Sequence, residues 1–280
     1  MADQRRVRRF VPFVMVLGVV LGALPGTVGV AAAGGKGEFL ANCPFSHRAS
    51  VDPLVHPGMP GMSHRHDFFG NTTTNAFSTL ATLRAGTTTC NPTADLSAYW
   101  VPTLTVGGRA VAPSRVTVYY SAENADPGSI RPYPLGFAMI TGNARATGPS
   151  APRPYDWSCQ AAVGNQATIP QCPAGSELEL LVHFPDCWNG RDLDSADHRS
   201  HVAFSVNHRC PVGYPVAIPR LELKLHYPTR GGTTAALSSG SGFTTHADFV
   251  NAWRPRALAQ RVNTCLHALV KCDAAGQVIG

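Results

Sequence analysis

The sequence is short of charge and of the residues most hydrolases display. Of its 280 residues 14% are charged, and five are glutamates. There is no G-x-S-x-G turn for a serine nucleophile and no H-E-x-x-H pair for a zincin-type site. No glycine-rich phosphate loop leads into a helix, which sets nucleotide-dependent chemistry aside. No two cysteines are spaced C-x-x-C, which weighs against zinc ribbons and thioredoxin-like redox chemistry. Beyond the first thirty residues no apolar run approaches the roughly 20 residues a membrane span needs.

What is abundant is turn chemistry: 27 glycines and 23 prolines point to a loop-rich chain rather than a helical one. Arg5, Arg6, Arg8 and Arg9 precede an apolar stretch from Phe10 to Leu24, and Ala31-Ala32-Ala33 offers an A-x-A cleavage site. Residues 1–33 read as a signal peptide and 34–41 as a loose lead-in, leaving 42–280 as one globular domain in an extracellular protein. Cleavage removes four of the 23 basic and one of the 17 acidic residues, so the mature net charge is 19 − 16 = +3. That is too small a basic excess for a nucleic-acid partner. No membrane association is expected after cleavage, and the mature chain is expected to be a monomer. All eight cysteines lie in the mature part, and an even count in an exported chain reads as four disulfides. Sequence allows 105 connectivities. Nearest-neighbour pairing (43–90, 159–172, 187–210, 265–272) is the least committal.

Pieces of strand are spaced by Gly/Pro turns. Arg115–Tyr120 and Glu177–Phe184 alternate, Leu135–Ile140 and His201–Val206 are shorter candidates, and Leu221–Tyr227 is the clearest period-2 segment. Cys43–Asn75 reads as loop with one short strand, and Gly231–Gly242 as a mobile loop. Pro255 opens a helix with Leu258, Val262, Leu266 and Leu269 on one face. The expected fold is mainly β: an antiparallel sandwich or jelly-roll-like core with long loops, disulfides and a C-terminal helix.

Histidine clusters carry the chemistry. In Met62-Ser-His-Arg-His-Asp-Phe-Phe, an extended backbone puts His64 and His66 on one face and Arg65 and Asp67 on the other. Two imidazoles on one face can chelate a metal, act as an acid–base pair, or simply bind loop carbonyls. Asp197-His198-Arg199-Ser200-His201 brings its histidines together only if helical. His246 and Asp248 share a face if extended. Asp186, Asp192, Asp194 and Asp197 could supply a glycosidase carboxylate pair or a calcium site, but Asp-Cys-Trp-Asn-Gly-Arg-Asp has the residues of a disulfide-anchored turn. Trp188 and Trp253 could stack on sugar, although buried tryptophans are commoner.

The segments MPGMSHRHDFFGN, DCWNGRDLDSADHRSHVAF with CPVGYPVAIP, and HADFVNAW resemble the signature segments of a secreted family known as domain of unknown function 1996. The resemblance runs from about residue 42 to residue 265, with Ala247 where the pattern has glycine. It implies a secreted protein of fungi and actinobacteria, often joined in fungi to carbohydrate-binding modules. It also implies one constellation of His64, His66, His198, His201, His246 and Asp248. No reaction comes with it.

The resulting expectation is a carbohydrate-active protein whose partner is a cell-wall or biomass polysaccharide. Its site would comprise His64, His66, His201, His246, Asp67 and Asp248, with Trp188, Trp253 and Arg65 contacting substrate. A metal reading takes one divalent ion (zinc, copper or manganese) on His64, His66, His201 and His246. An enzyme would be a glycoside hydrolase or polysaccharide lyase. The alternatives are a non-catalytic glycan- or metal-binding module and a disulfide-stapled structural surface protein.

Overall fold

The structure, a computed structural model, describes residues 1–2, 36–160 and 162–279. The expected signal peptide falls outside the described residues except for Met1 and Ala2. From residue 36 onward the described chain belongs to one compact unit.

Two sheets enclose one core. The larger runs, edge to edge, through Lys271–Cys272, Glu38–Asn42, Arg115–Ser121, Arg220–Tyr227, Leu178–His183 and Tyr155–Ser158. All its pairs are antiparallel except the first. Period 2 is visible in the register: Leu221, Leu223 and Leu225 face the core opposite Tyr120, Val118 and Val116. The second sheet is fully antiparallel, in the order Phe45–Ala49, His66–Gly70, Ala98–Pro102, His246–Val250, Ala138–Gly142. Phe69, Tyr99, Val101, Met139 and Phe249 project from it into the same core as Phe39, Val118 and Tyr120. The fold is therefore mainly β, as expected.

The second sheet is buried on both faces, so its strands do not alternate between polar and apolar. Its outer face is roofed by the segment between Ala49 and Leu96. Val51, Ala76, Leu83 and Leu96 close over Phe68, Ala98 and Trp100 to form a smaller core. The roof carries a short helix, Leu80–Ala85, whose Thr79 and Thr82 cap each other's backbone. Asn71 pins it by donating to the carbonyls of Leu83 and Leu96.

All four disulfides join nearest neighbours: Cys43–Cys90, Cys159–Cys172, Cys187–Cys210 and Cys265–Cys272. Each typically adds about 2–4 kcal/mol by restricting the unfolded chain. The helix is present over Pro255–Arg261 and continues through Leu266 as a wider π-type turn. Leu269 lies beyond it at φ +53° and ends the winding.

Several local expectations change. The lead-in contains the strand Glu38–Asn42, which sits between two partners because Phe39 and Ala41 fill the core. Cys43–Asn75 holds two strands, not one. The Gly/Ser/Thr stretch includes the strand Ala235–Leu237, paired with Leu104–Val106. Only Val202–Ala203 of the His201–Val206 candidate is strand.

Candidate metal centre

His66 and His246 are brought together by register. His66 lies opposite Pro102, and Asp248 lies opposite Trp100 on the other side of the same strand. Carrying that second register two residues further sets His246 across from Pro102 as well. The imidazoles meet above this central strand, on the roofed face, with Nε2 atoms 3.4 Å apart. His64, two residues before His66 and on its face, brings its Nε2 to 3.1 Å from that of His246. Gly142 makes room: at φ +78° it pairs with His246, and a Cβ there would stand 2.2 Å from the Thr245 carbonyl oxygen.

The tautomers are decided by carbonyls. His66 Nδ1 donates to the Val51 oxygen at 2.9 Å, and His246 Nδ1 donates to the Thr244 oxygen at 2.8 Å. A carbonyl only accepts, so each Nδ1 carries the hydrogen. Burial pushes the His246 pKa down to about 3 and that of His66 well below its ordinary value. Both rings are neutral near pH 7, and both Nε2 atoms are bare. Two lone pairs facing each other at 3.4 Å repel, and a cation between them turns the repulsion into coordination. Metal-bound histidines characteristically anchor their second nitrogen on a carbonyl or carboxylate in this way. Ligand nitrogens about 2.0–2.1 Å from a tetrahedral zinc stand about 3.3–3.4 Å apart. The three side chains could therefore hold a metal ion.

Two carboxylates adjoin the triad. Asp52, His66 and Asp248 form a second group able to share a ligand. Asp52 Oδ1 accepts from the backbone of Leu54 and Val55. Asp248 is fully buried, with no partner on either oxygen among the described residues. Burial, then the neighbouring Asp52, raises its pKa well above the usual carboxylate range, while Arg199 opposes the shift. Asp52, His64, His246, Asp248 and Arg199 line a cavity of about 170 Å³.

Residues 52–253 match the family described as Domain of unknown function (DUF1996). The chain belongs to this family. No curated protein and no solved structure matches it. The DUF1996 match spans all three histidine-bearing segments, so the triad lies wholly inside the family region.

The remaining candidates sit elsewhere in this DUF1996 chain. Asp67 points to the opposite face of its strand, as period 2 requires, and is held by Arg48 and by Thr103 at 2.7 Å. It is a core ion pair and does not reach the imidazoles. His201 has both nitrogens engaged, Nε2 with the Ala138 carbonyl and Nδ1 with the Ser195 hydroxyl, and it stands apart from the triad's donor atoms. His198 binds Asp194 instead of approaching His201. Trp253 is fully buried, donating to the Tyr120 hydroxyl, and cannot meet a glycan. Trp188 packs on Phe137 and donates to the Asp192 carbonyl, away from the cavity wall. Arg65 is exposed and faces away from the triad. The four aspartates have local or core partners: Asp192 accepts from Asn189, Asp194 pairs with His198, Asp197 accepts from Ser195, Arg199 and Ser200, and Asp186 holds Ser205 and Arg220. Asp52 and Arg199 join the site without a sequence motif that singles them out. Arg199 stands between His198 and His201, and the Asp-Pro of Asp52 carries no signal beyond a turn.

Proposed function

We propose that the protein is a secreted, metal-dependent enzyme acting on a cell-wall or biomass polysaccharide, with one divalent ion on His64, His66 and His246. The observation that carries the reading is the pair of carbonyl-anchored imidazoles whose bare Nε2 atoms face each other. Zinc suits this set best among zinc, copper and manganese, because three neutral imidazoles with room for a further ligand form a catalytic zinc shell. The ion would polarise a water or a substrate oxygen. Asp248, lining the cavity with both oxygens free, is the group placed to accept or return a proton, with Asp52 beside it. Four disulfides support an oxidising, extracellular setting. The glycan half rests on the carbohydrate-binding modules that accompany this family in fungi. Hydrolysis and β-elimination both fit a metal beside a carboxylate. Neither tryptophan reaches the cavity, which disfavours a purely stacking glycan-binding module.

The test is metal content of the oxidised mature protein beside the His64→Ala/His66→Ala variant, followed by a polysaccharide degradation panel. About one equivalent in the parent and none in the variant is expected, with turnover lost while the variant still folds cooperatively. A parent that stays metal-free after incubation with excess zinc, copper or manganese overturns the reading.

A further inference from the structure

We propose that the metal cavity is one end of a trough that holds an extended anionic glycan, with Arg145 and Arg199 receiving an acidic group of the sugar chain. The inference rests on the glycan reading above and adds the substrate class. Ile140 and Arg199 line both the metal cavity and an adjoining one of about 310 Å³. Pro152, Pro154 and Phe204 line that second cavity and a third of about 320 Å³. Shared walls in series describe an elongated binding surface rather than a closed pocket for one small molecule. Half-buried Phe204 and the two prolines give it apolar faces of the kind sugar C–H groups pack on.

Charge selects the ligand. The described arginine ion pairs occupy Arg48, Arg153, Arg191 and Arg220. Arg145 and Arg199, both lining the metal cavity, have no such partner among the described residues. Arg199 is fixed by donating to the carbonyls of Ile140 and Gly142, which aligns it without neutralising it. A divalent ion on three neutral imidazoles keeps its full charge. Together with two guanidiniums it outweighs Asp52 and Asp248 even if both are ionised. A positive pocket at the end of a trough with apolar walls attracts a polymer bearing carboxylate or phosphate groups.

The experiment measures binding of the zinc-loaded, oxidised protein to polygalacturonate, to the same polymer methyl-esterified, and to a phosphorylated mannan. Metal content is read in the same samples. Polygalacturonate or the phosphomannan should bind at least about tenfold more tightly than the ester, one charge-assisted contact being worth roughly that factor. Whichever acidic polymer binds identifies carboxylate or phosphate as the recognised group. Arg145→Glu, at an exposed position, should remove the preference without changing melting. Phe204→Ala should weaken the long polymer but not digalacturonate. Equal affinity for acid and ester, or indifference to Arg145→Glu, overturns the proposal. Metal present with no acidic preference would sink this inference alone. No metal, with the Arg145-dependent preference intact, would sink the metal centre and leave the trough standing.

Discussion

Adding zinc to metal-free protein should raise its melting temperature, and the triad sets how that rise responds to mutation. A ligand that binds only the native state stabilises it by RT ln(1 + [L]/Kd), about 4 kcal/mol at a thousandfold excess over Kd. The unfolded chain cannot reproduce the site, because His246 lies 180 residues from His66. For a domain of this size each kcal/mol moves the midpoint by roughly 2–4 °C, so the expected rise is about 8–16 °C. His64 is the informative position. It is half-buried and spends neither nitrogen on a backbone carbonyl. His64→Ala should therefore leave the metal-free midpoint within a few degrees of the parent while removing most of the zinc-induced rise. His66→Ala confounds the two effects, because it strands the Val51 carbonyl at about 1–3 kcal/mol. The assay is differential scanning calorimetry at fixed protein concentration, with and without metal. An equal zinc-induced rise in parent and His64→Ala would refute the assignment of His64. No rise with zinc, copper or manganese would refute the lone-pair argument itself.

Other expectations are independent of that one. Gly142→Ala places a Cβ 2.7 Å from the His246 Cα at a left-handed φ, so it should cost about 2–4 kcal/mol in urea unfolding and lower metal stoichiometry too. Arg48→Ala leaves Asp67 buried without its cation, and should cost about 3 kcal/mol while leaving metal content unchanged. Asp95 is fully buried, and burial lifts its pKa to about 6 despite hydrogen bonds from Tyr99 and Ser97. Native Asp95 keeps a proton that the unfolded chain has already released, so stability is fully present below about pH 4 and falls as pH rises to about 6, by roughly 3 kcal/mol. Asp95→Asn should remove that step. Urea midpoints of parent and variant at about pH 4 and pH 7 would disprove this if their difference stayed constant.

The sandwich was legible because its large sheet obeys period 2: Leu221, Leu223 and Leu225 announce a half-buried strand by themselves. The second sheet announces nothing of the kind. His66-Asp-Phe-Phe-Gly is buried on both sides, and each face mixes polar with apolar: His66 and Phe68 turn to the roof, Asp67 and Phe69 to the main core. Period 2 sufficed to put His64 with His66 and His246 with Asp248, and to send Asp67 the other way. It could not say that the first pair would meet the second across the strand holding Pro102. That depends on strand order, which local pattern does not encode. His201 and Trp253 lie away from the triad for a related reason. Each has the chemistry of a site residue, but each satisfies its own polar atoms within the core.

The Cys43–Cys90 bridge encircles more than a stretch of loop. Asp52, His64 and His66 all lie inside the 47-residue span it closes, while His246 lies far outside. A chain kept reduced would carry two of the three histidines on an untethered segment, without the bridge that holds it near the third. Completion of the site is thus linked to the same oxidation that tethers the roof. Where thiols stay reduced, the roof would lose this tether, and assembly of the triad would rest on the sheet register alone.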